Sequence, residues 1–389
     1  MGRLKLGIIV IVGALALYFF SGKAPERAPK KLPVASGRQV KIGVIGPMTG
    51  SEFPKGKNGI KGIETVLHRK PLLNNGDKVE IQVEDDKGDP RLTLFAFKKL
   101  IQTHNVDAVI LLSSTPSALE INRVVDQYKT PVLATIASHQ DIAVDTRFMN
   151  QLCIDNRFQG KVAALYARDE LFITRAAVFE NPDNAYSVSL ARIFQEQFIG
   201  LGGRMFEPLA FPGDEKELRD QLKMLKDNGA EMLYLPLGAP QFISISRILS
   251  EMSWSPVRMG SDGLLSNILM KHEESLDLVN GAISIDFYST DARRSYFGSS
   301  LAKNYLKLFS ETATTYTIAA AEGFALILNA MERCYHPITR EDINTQIRNT
   351  GKFSGFIGRV RINSDGKSQR PLIVNAIQDG KLKMIVRVH

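Results

Sequence analysis

Residues 108–134 read AVILLSSTPSALEINRVVDQYKTPVLA, and the fold follows from this stretch. Ala108–Leu112 is a continuous apolar run bounded by small polar residues, the pattern of a strand buried on both faces. Pro116–Tyr128 predicts a helix opened by Ser, Thr and Pro, and Val132–Ala134 is again short and apolar. A strand, a covering helix and a second strand make one parallel crossover unit.

The same alternation extends outward. Toward the N-terminus, Val40–Gly46 and Val79–Val83 read as strands and Gly56–His68 as a helix. Arg91–Thr103 is an amphipathic helix with Leu94, Phe97, Leu100 and Ile101 on one face. The pattern pauses over Gln140–Asn156 and restarts. Helices are predicted at Phe158–Glu170, Tyr186–Leu201, Glu215–Asn228 and Gln241–Met252, and strands at Ala176–Phe179, Met205–Ala210, Met232–Pro236 and Val257–Gly260. Two such blocks predict an α/β protein of two doubly wound parallel-sheet lobes joined by hinge strands. The helix Tyr316–Arg333 and the short strands near Val360 and Ile373 follow the second block, so the chain recrosses. The expected division is 40–150 with 283–358 in the first lobe, and 151–282 with 359–389 in the second.

The chain has 389 residues, 44% hydrophobic and 23% charged, which excludes disordered, collagenous and disulfide-stapled classes and suits two domains. The net charge of +8 is a property of the leader. Residues 1–41 hold eight basic residues and one acid, leaving 41 basic and 40 acidic residues in the body. A basic groove for nucleic acid is not supported. Arg3 and Lys5 precede the apolar run Leu6–Phe20, so residues 1–21 read as a signal peptide or signal anchor and residues 22–39, rich in Lys, Pro, Ala and Gly, as a tether. Phe19, Phe20 and Pro25 make poor cleavage sites, which favours an uncleaved apolar helix holding an exported protein at the membrane. The run is short for a span, and the following Lys23, Arg27, Lys30 and Lys31 oppose the usual charge bias. Cys153 and Cys334 are the only cysteines and have no framework spacing, so they are expected to be reduced.

No phosphate-binding loop, dinucleotide fingerprint, metalloprotease motif, Cys-x-x-Cys or nucleophile elbow is present, and no cofactor or catalytic residue is predicted. Glu84, Asp85, Asp86 and Asp89 read as a strand end and turn, with Asp89 capping a helix rather than binding metal. In doubly wound sheets the ligand lies beyond the carboxyl ends of the strands. That rule selects Gly46–Gly50, Leu112–Ser117, Thr135–Gln140, Asn181–Ser187 and Ser261–Gly263. His139 falls in one of these loops.

Taken in order, VKIGVIGPMTG (40–50), VEDDKGDP (83–90), SSTPSA (113–118), PVLATIASHQDI (131–142), NAYSVSL (184–190), MGSDG (259–263) and GFIGRVRINSDG (355–366) resemble the type I periplasmic binding proteins of branched-chain amino acid and amide uptake. The likeness is strongest to the leucine/isoleucine/valine-binding branch. It implies a non-enzymatic, extracytoplasmic receptor that clamps a small amino acid, amine or amide between its lobes and delivers it to an ABC permease or sensory partner. An alternative within the fold is an envelope regulator that binds a protein. By the resemblance, Ser114, Thr115, Ala137 and Ser138 would receive a carboxylate, Tyr186 would close over the ligand, and Asp262 would take the ammonium. A second family tyrosine is replaced here by Gly238 or Ala239, which opens space. Phe53, Tyr288 and His139 are candidate wall residues.

Overall fold

The computed structural model describes residues 37–271, 273–351 and 353–388. The leader expected at 1–21 and nearly all of the tether lie outside the described residues. The first block runs β1 (Gln39–Gly46), α1 (Phe53–Arg69), β2 (Lys78–Asp85), α2 (Pro90–Gln102), β3 (Ala108–Leu111), α3 (Thr115–Asn122), α4 (Val125–Tyr128), β4 (Val132–Ala134) and β5 (Met149–Gln151). The second runs α5 (Asn156–Leu165), β6 (Arg175–Glu180), α6 (Ala185–Gly200), β7 (Arg204–Met205), β8 (Leu209–Ala210), α7 (Glu215–Asp227), β9 (Met232–Leu235), α8 (Ala239–Glu251), β10 (Val257–Gly260), α9 (Leu264–Lys271) and β11 (Ile283–Asp286). The chain ends with α10 (Tyr296–Phe309), α11 (Thr315–Met331), α12 (Arg340–Arg348), β12 (Arg361–Ile362), β13 (Ser368–Gln369), β14 (Leu372–Gln378) and β15 (Lys381–Val388).

The first sheet has the order β2-β1-β3-β4-β5, all parallel. The second repeats that winding as β7-β6-β9-β10-β11 and then adds β14 and β15 antiparallel. The expected parallel winding is present in both sheets, with the correction that the second carries two further, antiparallel strands. Asp379 (φ 51°) and Gly380 (φ 66°) form the turn of a β14–β15 hairpin, and a two-residue turn with positive φ at both positions joins only antiparallel strands. A second correction concerns the boundary at 282/283: β11 pairs with β10 in the second sheet, and the chain returns to the first lobe only after it.

Local chemistry explains the smaller departures. The helix predicted over 116–128 breaks into α3 and α4, and Asp126 turns aside to accept from the Thr146 hydroxyl and the backbone N–H groups of Arg147 and Phe148. The strand predicted over 205–210 splits at Pro208, which has no N–H to give to a ladder. Helix α11 is apolar all round and buried over almost its whole length, so it sits inside the molecule, packed on α1. Its residues share one core with β1, β3, β6 and β14.

Candidate functional site

The carboxyl ends of β1, β3, β6, β9 and β10 all lead into loops around one cavity of about 540 Å³. Order reverses between β1 and β3 in the first sheet and between β6 and β9 in the second, so both switch points open onto it. The first lobe contributes Ser51–Glu52, Lys55 and Ser114–Ser117, and the second contributes Asn181, Asn184, Tyr186, Pro236–Gln241 and Asp262.

Asp262 follows β10 and is the centre of the second-lobe wall. Its Oδ1 accepts from the Tyr186 hydroxyl at 2.6 Å and from Gln159 Nε2 at 2.7 Å, and its own N–H donates to Gln159 Oε1 at 3.0 Å. Every partner is neutral; among the described residues no cation lies within ion-pair distance of it. Burial raises its carboxyl above the usual range, and the Tyr186 and Gln159 hydrogen bonds oppose that rise. Asp286, behind it, accepts from the Gly263 and Phe287 N–H groups and is pushed up to about 7 by burial and by the charge of Asp262. Burial and Asp262 together hold the Tyr186 phenol well above its ordinary value, so it stays a hydrogen-bond donor. Tyr186 is fixed because Asn184 caps α6 by accepting its backbone N–H.

In the first lobe Ser114 opens α3. Its hydroxyl donates to Glu52 Oε2 at 2.9 Å and accepts from Lys55 Nζ at 2.8 Å, while Lys55 also pairs with Glu52. The Thr115 hydroxyl is buried without a hydrogen-bond partner, an orphan of the kind that marks functional sites. Ser113 is engaged elsewhere, donating to Asp86.

Of the residues expected at the site, Ser114, Thr115, Tyr186 and Asp262 line the cavity, as do Gly238 and Ala239. Ala137 and Ser138 are buried and do not line it; from their loop only Ile136 does. Gly46–Gly50 likewise stops short, and the lining begins at Ser51. The three wall candidates are corrected. Tyr288 is buried with its hydroxyl on the Ala313 carbonyl at 2.6 Å, His139 Nδ1 accepts from the Asp141 N–H, and Phe53 lies outside the lining. Each of the four carboxylates at 84–89 has its own partners: Glu84 pairs with Lys99, Asp85 caps the Met48–Thr49 turn, Asp86 binds Thr93 and Ser113, and Asp89 caps α2. Cys153 and Cys334 are free thiols, and Cys153 Sγ lies 3.8 Å from Asp262 Oδ2.

A model described as "Periplasmic binding protein" matches residues 39–381 of this chain. The chain belongs to the periplasmic binding protein family. Over 206 residues this binding protein is 23% identical to Leu/Ile/Val-binding protein homolog 6 of Brucella abortus, an alignment that covers 52% of this chain and about half, 52%, of that relative's length. A leucine-binding protein of Thermotoga maritima is similar in structure, with a TM-score of 0.82 at 24% identity over 90% of this chain and 99% of its own. A solute-binding protein of Rhodopseudomonas palustris, solved with 3,4-dihydroxybenzoic acid, gives 0.79 at 18% identity over 90% of this chain and 97% of its own.

Sequence reading missed Glu52, Lys55, Tyr316 and Asn267, all of which line the cavity of this binding protein. Glu52 and Lys55 carry an i,i+3 charge pair at the start of α1, a signal that reads equally as an ordinary surface pair. Tyr316 lies in the first turn of α11, near Gly263, where an added Cβ would come within 3.3 Å of its hydroxyl. Only the recrossing of the chain brings it there. Among the described residues no helix is long and apolar enough to cross a membrane.

Proposed function

We propose that this binding protein is a solute receptor that closes its two lobes on a small amino acid or a related amine or amide, with ligands that bear a protonated amine favoured. It would deliver that ligand to an ABC permease or a sensory membrane partner. The observation that carries the reading is Asp262, a partly buried carboxylate on the cavity wall that accepts only neutral hydrogen bonds. Drawing a carboxylate out of water is costly unless a cation meets it, and a ligand ammonium supplies one through a charge-assisted hydrogen bond. Ser114, Thr115 and Tyr186 are the proposed contacts around it, with Tyr316 added. The relatives' names, which include leucine and Leu/Ile/Val binding, favour the same class. The hydroxybenzoate complex raises aromatic acids as the other class, but the charged lining residues are Glu52, Asp183 and Asp262 against Lys55 alone, a poor surround for an acid without an amine.

The reading extends to export, with the apolar run 6–20 as the anchor; retention in membranes after a carbonate wash is the expected result, and release refutes the anchor. The test of function is a thermal-shift screen of the protein, refolded to strip carried-over ligand, against amino acids, amines, amides and hydroxybenzoates. A ligand at about 100 times its Kd adds about 2.7 kcal/mol of stability and a clear rise in Tm. A rise with amine-bearing compounds is expected. A response confined to hydroxybenzoates overturns the amine reading, and silence across the panel in folded protein overturns the receptor reading.

A further inference from the structure

What faces the cavity from the first lobe narrows the ligand further. Glu52 immediately precedes α1, and Lys55 lies in its first turn. Their charges are matched to each other, and both hold Ser114: Lys55 Nζ donates to its Oγ at 2.8 Å, and its hydroxyl donates to Glu52 Oε2 at 2.9 Å. The Glu52 carboxylate is also seated against Gly88, where a Cβ would come within 3.2 Å of Oε2, and Gly88 has φ +78°. Glu52, Lys55, Gly88 and Ser114 all line the cavity.

A carboxylate of the protein is therefore already bonded to the residue that opens α3, a helix start whose N–H groups and dipole would otherwise favour an anionic group of the ligand. The Ser114 hydrogen is committed, the Lys55 charge is matched, and a second carboxylate would sit beside Glu52 with like charge unopposed. The lining carries three carboxylates, Glu52, Asp183 and Asp262, against one ammonium. We infer that the ligand is an amine without a carboxylate, and that Glu52 is the specificity determinant that turns amino acids away. The inference rests on the amine-receptor reading: Asp262 takes the ammonium in either case, and Glu52 selects between an amine and its parent amino acid.

Calorimetric titration of the full-length, ligand-stripped protein tests this with matched pairs: leucine and 3-methylbutylamine, lysine and cadaverine, phenylalanine and phenethylamine. In at least one pair the amine should bind at least tenfold more tightly than its amino acid. Glu52→Gln, which keeps the shape and removes the charge, should narrow that gap tenfold or more, chiefly by improving the amino acid. Should Glu52→Gln fail to melt cooperatively, Glu52→Ala, which also removes the charge, should narrow the gap in the same direction. An amino acid that binds as tightly as its amine in the unaltered protein overturns this inference and leaves the receptor reading standing. A gap that neither variant narrows removes Glu52 from the role. Silence of all three pairs in folded protein overturns the Asp262 amine site itself, and the inference falls with it.

Discussion

Glu322 and Arg370 form an ion pair at 2.8 Å with 0% and 2% of their side chains exposed. Glu322 lies on α11, which packs on α1, and Arg370 on the segment entering β14 of the second sheet, so the pair ties the two lobes at the core they share. Glu322 also accepts from the Phe356 N–H, and the guanidinium lies 4.1 Å from the centre of the Phe287 ring. Removing one partner strands a buried charge, so Glu322→Ala should cost about 3–5 kcal/mol in chemical denaturation, whereas Glu322→Leu with Arg370→Met should recover most of it. A single variant as stable as the parent would mean that the pair contributes nothing.

Asp262→Asn keeps the shape of the site and removes its charge. The loss of a charge-assisted hydrogen bond, about 1.5–3 kcal/mol, should weaken amine binding about 10- to 150-fold by calorimetry. Tyr186→Phe removes a neutral donor and should cost less. Equal affinities in Asp262→Asn and the parent would exclude the carboxylate from the site.

Asp286 gives stability a pH dependence. Its carboxyl is raised from 3.8 to about 7, so between those values the folded state holds a proton that the unfolded chain has released. The contribution of this group is complete below about pH 4 and is lost as pH rises through about 7. Asp286→Asn should flatten that slope, whatever it does to the absolute Tm. Melting curves at pH 5 and pH 8 with an unchanged difference in the variant would assign the slope elsewhere.

Gly62 is where α1 meets α11: an added Cβ would lie 2.3 Å from the Thr317 carbonyl oxygen, a backbone atom with nowhere to go. Gly62→Ala should destabilise by about 1–3 kcal/mol through overpacking, despite the better helix propensity of Ala. Gly200, with nothing near its Cβ position, is the matched control, and its substitution by Ala should be neutral or mildly stabilising.

Much of this protein was legible as sequence because its strands are short apolar runs and its helices carry local stop and start signals. AVILL at 108–112, bounded by small polar residues, reads as a strand covered on both faces, and Asp89 announces the helix it caps. Loops beyond such strands are where a ligand binds, which selected the segments that hold Ser114, Thr115, Tyr186 and Asp262; the family resemblance named those residues within them. The tertiary structure decided the rest. Ala137 and Ser138 sit in an equally suitable loop, yet packing turns them into the core. Tyr316 reaches the cavity because a helix from beyond the second block returns to pack in a core shared with strands of both sheets, a long-range contact with no local signal. The Glu52–Lys55–Ser114 cluster joins residues 59 and 62 positions apart, and only the pairing of β1 with β3 brings them into contact. Periodicity and capping are local and are written in the chain. Which carboxylate faces a ligand and which is consumed by the protein depends on distances that exist only once the sheets are assembled.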